Sequence, residues 1–147
     1  MAHPRKTIRE KIVTLLKAES PAIASGRIYD SRIHPVGTAP FVTVRTVADD
    51  PQVEDMIGLS KPDYMRLLTV QIDCVDTERP GSGTLAGNAD DLARQVEEAL
   101  ADKITLDGLA LSCLMSGTTV EESIEVDPPA YQVSLTYLVT YSDTLGL

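Results

Sequence analysis

The sequence predicts an α+β domain, a mostly antiparallel β-sheet with two α-helices packed on it and one long inter-strand loop. Three observations carry this prediction. Two stretches repeat apolar residues at helical spacing, and several others alternate apolar and polar residues with period two. The order is helix, two strands, long loop, strand, helix, two strands, so strands group in runs rather than alternating strictly with helices. A chain of 147 residues buries roughly 68–70% of its unfolded surface on folding, enough for one core without metals or disulfides, and a single domain over 1–147 is expected. No internal repeat or low-complexity tract divides it.

The first helix follows from Ile8, Ile12, Leu15 and Leu16, which form one apolar stripe, with Pro4 suited to the first turn. Ser20-Pro21 ends it. Residues 27–32 form a short strand candidate and 35–40 carry turn chemistry. Over 41–47, Val42 and Val44 share one face while Thr43 and Arg45 share the other. From 48 to 63 the chain turns acidic and irregular around Pro51, and an inter-strand loop of this length tends to be functional or to order on binding.

Residues 64–76 form the next strand, with Leu68, Val70, Ile72 and Cys74 on one side. A glycine-rich connection, 79–84, leads to the second helix, marked by Leu85, Ala89, Leu92, Val96, Ala99 and Leu100. A fourth strand is expected from the alternation of Leu109, Leu111, Cys113 and Met115, broken at Ser116-Gly117. The clearest strand closes the chain, with Tyr131, Val133, Leu135, Tyr137, Val139 and Tyr141 on one face.

The formal charge of -9 is unevenly spread. Arg5, Lys6, Arg9, Lys11 and Lys17 against Glu10 give the first 17 residues +4, which leaves -13 on the other 130. An acidic body argues against nucleic-acid binding by phosphate neutralisation, which needs clustered Lys and Arg. No apolar run approaches the roughly 18–20 residues of a membrane span, and no leader-like segment precedes the first helix, so a soluble cytosolic protein is expected. Two cysteines set far apart fit a reducing compartment.

Catalytic signatures are missing. His3 and His34 each precede a proline, in a frayed terminus and a turn respectively, and neither suits a general base. Nothing matches a dinucleotide fingerprint, a phosphate loop, a zinc-protease helix or a nucleophile elbow. Cys74 and Cys113 sit among apolar residues on strands, where burial silences a thiol. Asp49, Asp50, Glu54 and Asp55 are hard oxygen donors, but their spacing matches no calcium loop and a solvated loop is the simpler expectation. The sequence therefore predicts no enzyme, no cofactor and no metal site.

Two stretches together carry a resemblance. One is Arg27-Ile28-Tyr29-Asp30-Ser31-Arg32-Ile33-His34-Pro35 with the following Ala39-Pro40-Phe41-Val42-Thr43-Val44; the other is the terminal run from Tyr131 to Tyr141, with Leu135-Thr136-Tyr137-Leu138-Val139-Thr140-Tyr141 at its centre. They resemble the short strand, turn and following strand, and the closing strand, of the minor tail protein U family of tailed phages, the tail terminators. The resemblance spans nearly the whole chain, and its motifs are strands rather than catalytic signatures.

It implies a homo-oligomeric ring, usually a hexamer, on the head-proximal end of the tail tube. Such a ring stops tube polymerisation and offers a docking surface to the head-completion or connector protein. The implied partners are further copies of the chain, the tail tube protein, that connector, and DNA passing through the lumen without sequence-specific contacts; no membrane is involved. The implied location is the virion tail, assembled in the host cytoplasm. Another head-tail joining or tail tube protein, and a small cytosolic carboxylate-based enzyme or ligand-binding domain, are the alternatives.

Within the ring reading, Arg5, Lys6, Arg9 and Lys11 on the first helix and Asp49, Asp50, Glu54 and Asp55 in the loop are the interface candidates. Opposite charges on two edges set register between neighbours and suppress wrong pairings.

Overall fold

The computed structural model describes residues 3–30, 40–52, 63–77, 84–123 and 129–144. Helix α1 spans Pro4–Lys17, a short 3₁₀ turn covers Ile23–Gly26, and strands β1 (Ile28–Asp30), β2 (Phe41–Gln52) and β3 (Asp63–Thr77) follow. Helix α2 (Leu85–Leu100) then leads to β4 (Ser112–Ser123) and β5 (Ala130–Thr144). The five strands form one sheet in the order β1-β2-β3-β5-β4. Only β1 and β2 run parallel; the other pairs are antiparallel. The expected α+β architecture is the observed one.

Helix α1 begins where Pro4 supplies a pre-set backbone angle at a position whose N–H has no helical partner anyway. His3 is its cap: Nδ1 accepts a hydrogen bond from the Arg5 backbone N–H at 3.1 Å. The terminal histidine thus closes the helix end rather than lying frayed. Ile8, Ile12, Val13 and Leu16 line the buried face of α1, and Ala89, Leu92, Ala93, Val96, Ala99 and Leu100 that of α2. Both helices lie on the same side of the sheet, α1 over β1 and β2, α2 over β3 and β5.

The strands meet them with Val42 and Val44, with Leu68, Val70, Ile72 and Cys74, and with Val133, Leu135, Tyr137, Val139 and Tyr141, all buried. At about 25 cal/mol per Å² of apolar area, each such side chain contributes about 1.5–3 kcal/mol. No helix among the described residues is long and apolar enough to cross a membrane.

Two boundaries differ from the sequence expectation. The acidic loop expected over 48–63 begins later, because β2 continues to Gln52 and pairs antiparallel with β3 down to Met65. A bulge between Thr46 and Ala48 inserts Val47 as an extra residue. That insertion reverses the alternation, so Asp49 faces the helices opposite Leu68. Among the described residues β1 pairs with β2 only from Val42 to Val44, so Pro51 has a described strand on one side alone, a position where a missing N–H is tolerated. Glu54 and Asp55 lie outside the described residues, as does His34.

The fourth strand is also shifted. It begins at Ser112, and the expected break at Ser116-Gly117 is a bulge between Met115 and Gly117 inside a strand that runs on to Ser123. Cys113 is buried, but Leu109, Leu111 and Met115 are exposed. Leu109 and Leu111 precede the strand, and Met115 lines a shallow, open groove beside Glu97 and Leu100 of α2.

The link from α2 to β4 closes one end of the core. Leu106 and Asp107 adopt the left-handed backbone region with φ of 49° and 56°, followed by Gly108 at 92°. That conformation costs a non-glycine residue energy, and here it turns the fully buried Leu106 into the core. Replacing Leu106 with Ala should cost about 2–5 kcal/mol through lost burial and the cavity left behind. Urea denaturation should register this as a lower midpoint at nearly unchanged slope.

Candidate functional site

The charged residues of α1 are arranged over acids of the same chain. Asp49 Oδ2 accepts from Arg5 NH1 at 3.1 Å and from the Tyr141 hydroxyl at 2.7 Å, with Arg66 NH1 at 3.7 Å. The Asp49 side chain is 8% exposed, and its Oδ1 has no hydrogen-bond partner among the described residues. Arg9 donates through Nε to Asp30 and through NH1 to Thr46. Lys11 pairs with Asp107 at 2.8 Å, which holds the Asp107 carboxyl below its ordinary range. Lys6 reaches Glu10 on its own helix at 3.9 Å.

The expectation that the α1 cations and the acids after Val47 are separate surfaces meeting between neighbours therefore changes. Arg5 and Asp49 already meet within one chain, because the bulge turns Asp49 toward the helix that carries Arg5. Asp50 lies on the opposite face of β2 and is exposed.

The helix-free face of the sheet has its own polar centre. Asp73, 8% exposed, accepts hydrogen bonds from Arg45 Nε at 3.1 Å, Gln71 Nε2 at 2.8 Å and Ser134 Oγ at 2.8 Å. Gln132 Nε2 in turn donates to Ser134 Oγ at 3.0 Å. A carboxylate supplied with three donors is paired rather than reactive. This network pins β2, β3 and β5 together on a face that no helix covers.

The third feature is β4. Every residue from Leu114 to Glu122 is exposed. Leu111 (57%), Leu114 (55%), Met115 (47%) and Val120 (51%) add apolar area, with Ile104 beside them at 46%. Between β4 and the C-terminal end of α2 lies a shallow groove of about 270 Å³ with Cys113 and Tyr137 among its lining residues. Glu121 and Glu122 follow on the same strand. Sequence reasoning passed over this edge because its alternation looked like core packing.

The thiols are packing groups. Burial pushes Cys74 up to about 12 and Cys113 up to about 11, and the Tyr137 hydroxyl is raised mainly by burial as well. A thiol held protonated is neither a nucleophile nor a metal ligand. Among the described residues, no three His, Cys, Asp or Glu side chains converge as a metal site would require.

Neither a protein-family model nor a curated protein matches the sequence. A solved structure does match in fold: a chain of a virion of a native gene transfer agent particle, with a TM-score of 0.62 and 12% identity. The similarity covers 92% of this chain and 95% of that one.

Two predictions follow from the charged cluster and the thiols. Asp49→Ala leaves Arg66 and Tyr141 facing a lost partner in a buried setting and should cost about 3–5 kcal/mol, whereas Arg5→Ala, at a partly exposed position, should cost about 1 kcal/mol. Chemical denaturation of the two variants and their double mutant checks both values and their coupling. The thiols have pKa values raised above the unfolded 9.0, so the unfolded chain loses these protons first. Stability should fall as pH rises through about 9 toward 11–12, by up to about 1.4 kcal/mol per pH unit for each thiol. Cys74→Ala/Cys113→Ala should be flatter over that window when melted alongside the parent protein.

Proposed function

We propose that this protein is a structural component of a phage-like virion, acting as the tail terminator that closes the head-proximal end of the tail tube as a ring. The observation that carries the reading is the fold similarity, over nearly the full length of both chains, to a chain of a gene transfer agent virion. The strand motifs around Arg27 to Val44 and Tyr131 to Tyr141 narrow it toward the minor tail protein U family. Supporting it further, several candidate reactive side chains among the described residues are otherwise engaged: Cys74 and Cys113 in the core, His3 as a helix cap, Asp73 and Asp49 in hydrogen-bonded networks.

The subunit has the form such a role needs. A rigid sheet carries two different margins, and a ring forms when unlike margins meet at an angle that closes. Its partners in this reading are further copies of the chain, the tail tube protein and the head-side connector. The acidic body serves passage of DNA, since carboxylates facing a lumen repel phosphates and keep the nucleic acid from sticking.

Purified protein viewed by negative-stain microscopy, with mass measured in parallel, should show closed rings of about six subunits. Labelled protein in intact particles should then appear once, at the head-proximal end of the tail. Repetition along the tail would reassign it as a tube protein, and a monomer at all concentrations would contradict the ring.

A further inference from the structure

Six of the seven large hydrophobic residues exposed among the described residues lie between 104 and 120, on β4 and the chain leading into it. Two of them belong to the side of the sheet that carries the helices. Met115 and Val120 stand opposite Tyr137 and Val133, both buried beneath the helical layer, yet Met115 is 47% and Val120 51% exposed. Helices pack side by side at about 8–10 Å and strands lie about 4.8 Å apart, so two helices cover four strands. β4 is the fifth strand, where the place of a third helix begins.

The flank of α2 that borders this slot is shaped for the same occupant. Arg94 and Glu97 of α2, with Ala101 and Ile104 just past its end, recur three and four residues apart and line the groove together with Met115. Such spacing is the seam along which one helix lies against another. A strand added at the β4 edge would lie in the plane of the sheet and leave these side chains uncovered. Both helices of the chain already bury their apolar faces on their own sheet, so neither helix of a second copy has a stripe to spare. Charge sets the sign of the occupant. Arg94 donates to Glu97 at 3.3 Å and to Glu98 at 3.1 Å, one cation between two acids. Further along, exposed Glu122 stands opposite Tyr131, whose hydroxyl is pushed above its ordinary range by desolvation and by the carboxylates of Asp90 and Glu122. The slot therefore has an apolar floor between acidic walls.

We propose that the slot between α2 and β4 docks an amphipathic helix of another protein, its apolar stripe on Ile104, Met115 and Val120 and its flanking Lys or Arg side chains on Glu97 and Glu122. The occupant fills the third position of the helical layer. Apolar burial supplies the affinity, and the ion pairs fix orientation and exclude acidic helices. The outer edge of β4 faces away in the plane of the sheet and stays open to a ring neighbour, so the inference goes beyond the ring reading and does not depend on it.

The probe is a designed helix of about 20 residues, long enough to hold its shape in water, with a leucine stripe flanked by lysines. A second peptide carries glutamate in place of lysine, a third scrambles the order, and a fourth arranges the same residues in strand alternation. Fluorescence anisotropy of the labelled peptides reads binding to the full chain, and thermal melts establish that each variant is folded. The lysine helix should bind the wild type at least tenfold more tightly than the other three peptides. Met115→Lys should weaken it at least tenfold, and Glu97→Lys/Glu122→Lys should reverse the preference between lysine and glutamate helices, with Glu122→Lys alone narrowing it. A lysine helix that binds no better than the scrambled peptide, or equally well to folded Met115→Lys, would overturn the inference. Tighter binding of the alternating peptide would assign the slot to a strand, and displacement of the helix as the chain self-associates would assign it to a second copy; either result overturns the proposal. A chain that binds the lysine helix yet stays monomeric at every concentration would remove the ring reading and leave this one standing.

Discussion

Helical cover that stops one strand short governs the rest of this molecule. Helix α1 lies over β1 and β2 and α2 over β3 and β5, so the apolar residues of those strands are sealed while β4 extends past the helical layer. The consequence reaches from packing to function. Core strands obtain stability from both the ladder and the helices, whereas among the described residues β4 pairs with β5 on one side only and is exposed from Leu114 to Glu122. Monomeric proteins rarely gather exposed apolar side chains in one strand, and such a patch marks an interaction surface.

The charges acquire their meaning from the same layering. Placing α1 over the first two strands brings Arg5 to Asp49 and Arg9 to Asp30, so much of the basic surplus of the N-terminal helix is matched by acids beneath it. Partly buried pairs of this kind fix orientation more than they add net stability. The acids left exposed include Glu121, Glu122 and Asp50, and they give the surface its negative character. Within the chain, Arg5 and Arg9 serve to seat a helix on its own sheet.

Much of the architecture was legible in the sequence because apolar periodicity reports burial directly. Ile8, Ile12 and Leu16, the α2 stripe, and the alternating β3 and β5 runs all lie where their spacing predicted. What escaped has identifiable causes. A bulge changes the phase of alternation without any mark in composition, so Asp49 could not be assigned to the helix side before its pairing with Leu68 was known. The partners of Asp49 come from positions 44 and 92 residues away, Arg5 and Tyr141, a separation that no local pattern encodes. Leu111 and Met115 obey the alternation of a buried strand yet stand exposed, because period two reports which residues share a face and not whether anything covers it. The edge-strand site was therefore hidden by a pattern that fitted a core.

The central claim is the proposed assembly of this chain into a ring, for which the exposed β4 is the natural place to look for a neighbour. Hydrogen exchange on the wild-type chain, followed peptide by peptide at concentrations below and above assembly, addresses it without altering any residue. Amides of β4 should exchange quickly in the dilute protein and become protected as assembly proceeds, while β3 and β5 remain slow throughout. Assembly that leaves β4 as exchangeable as before would contradict the account.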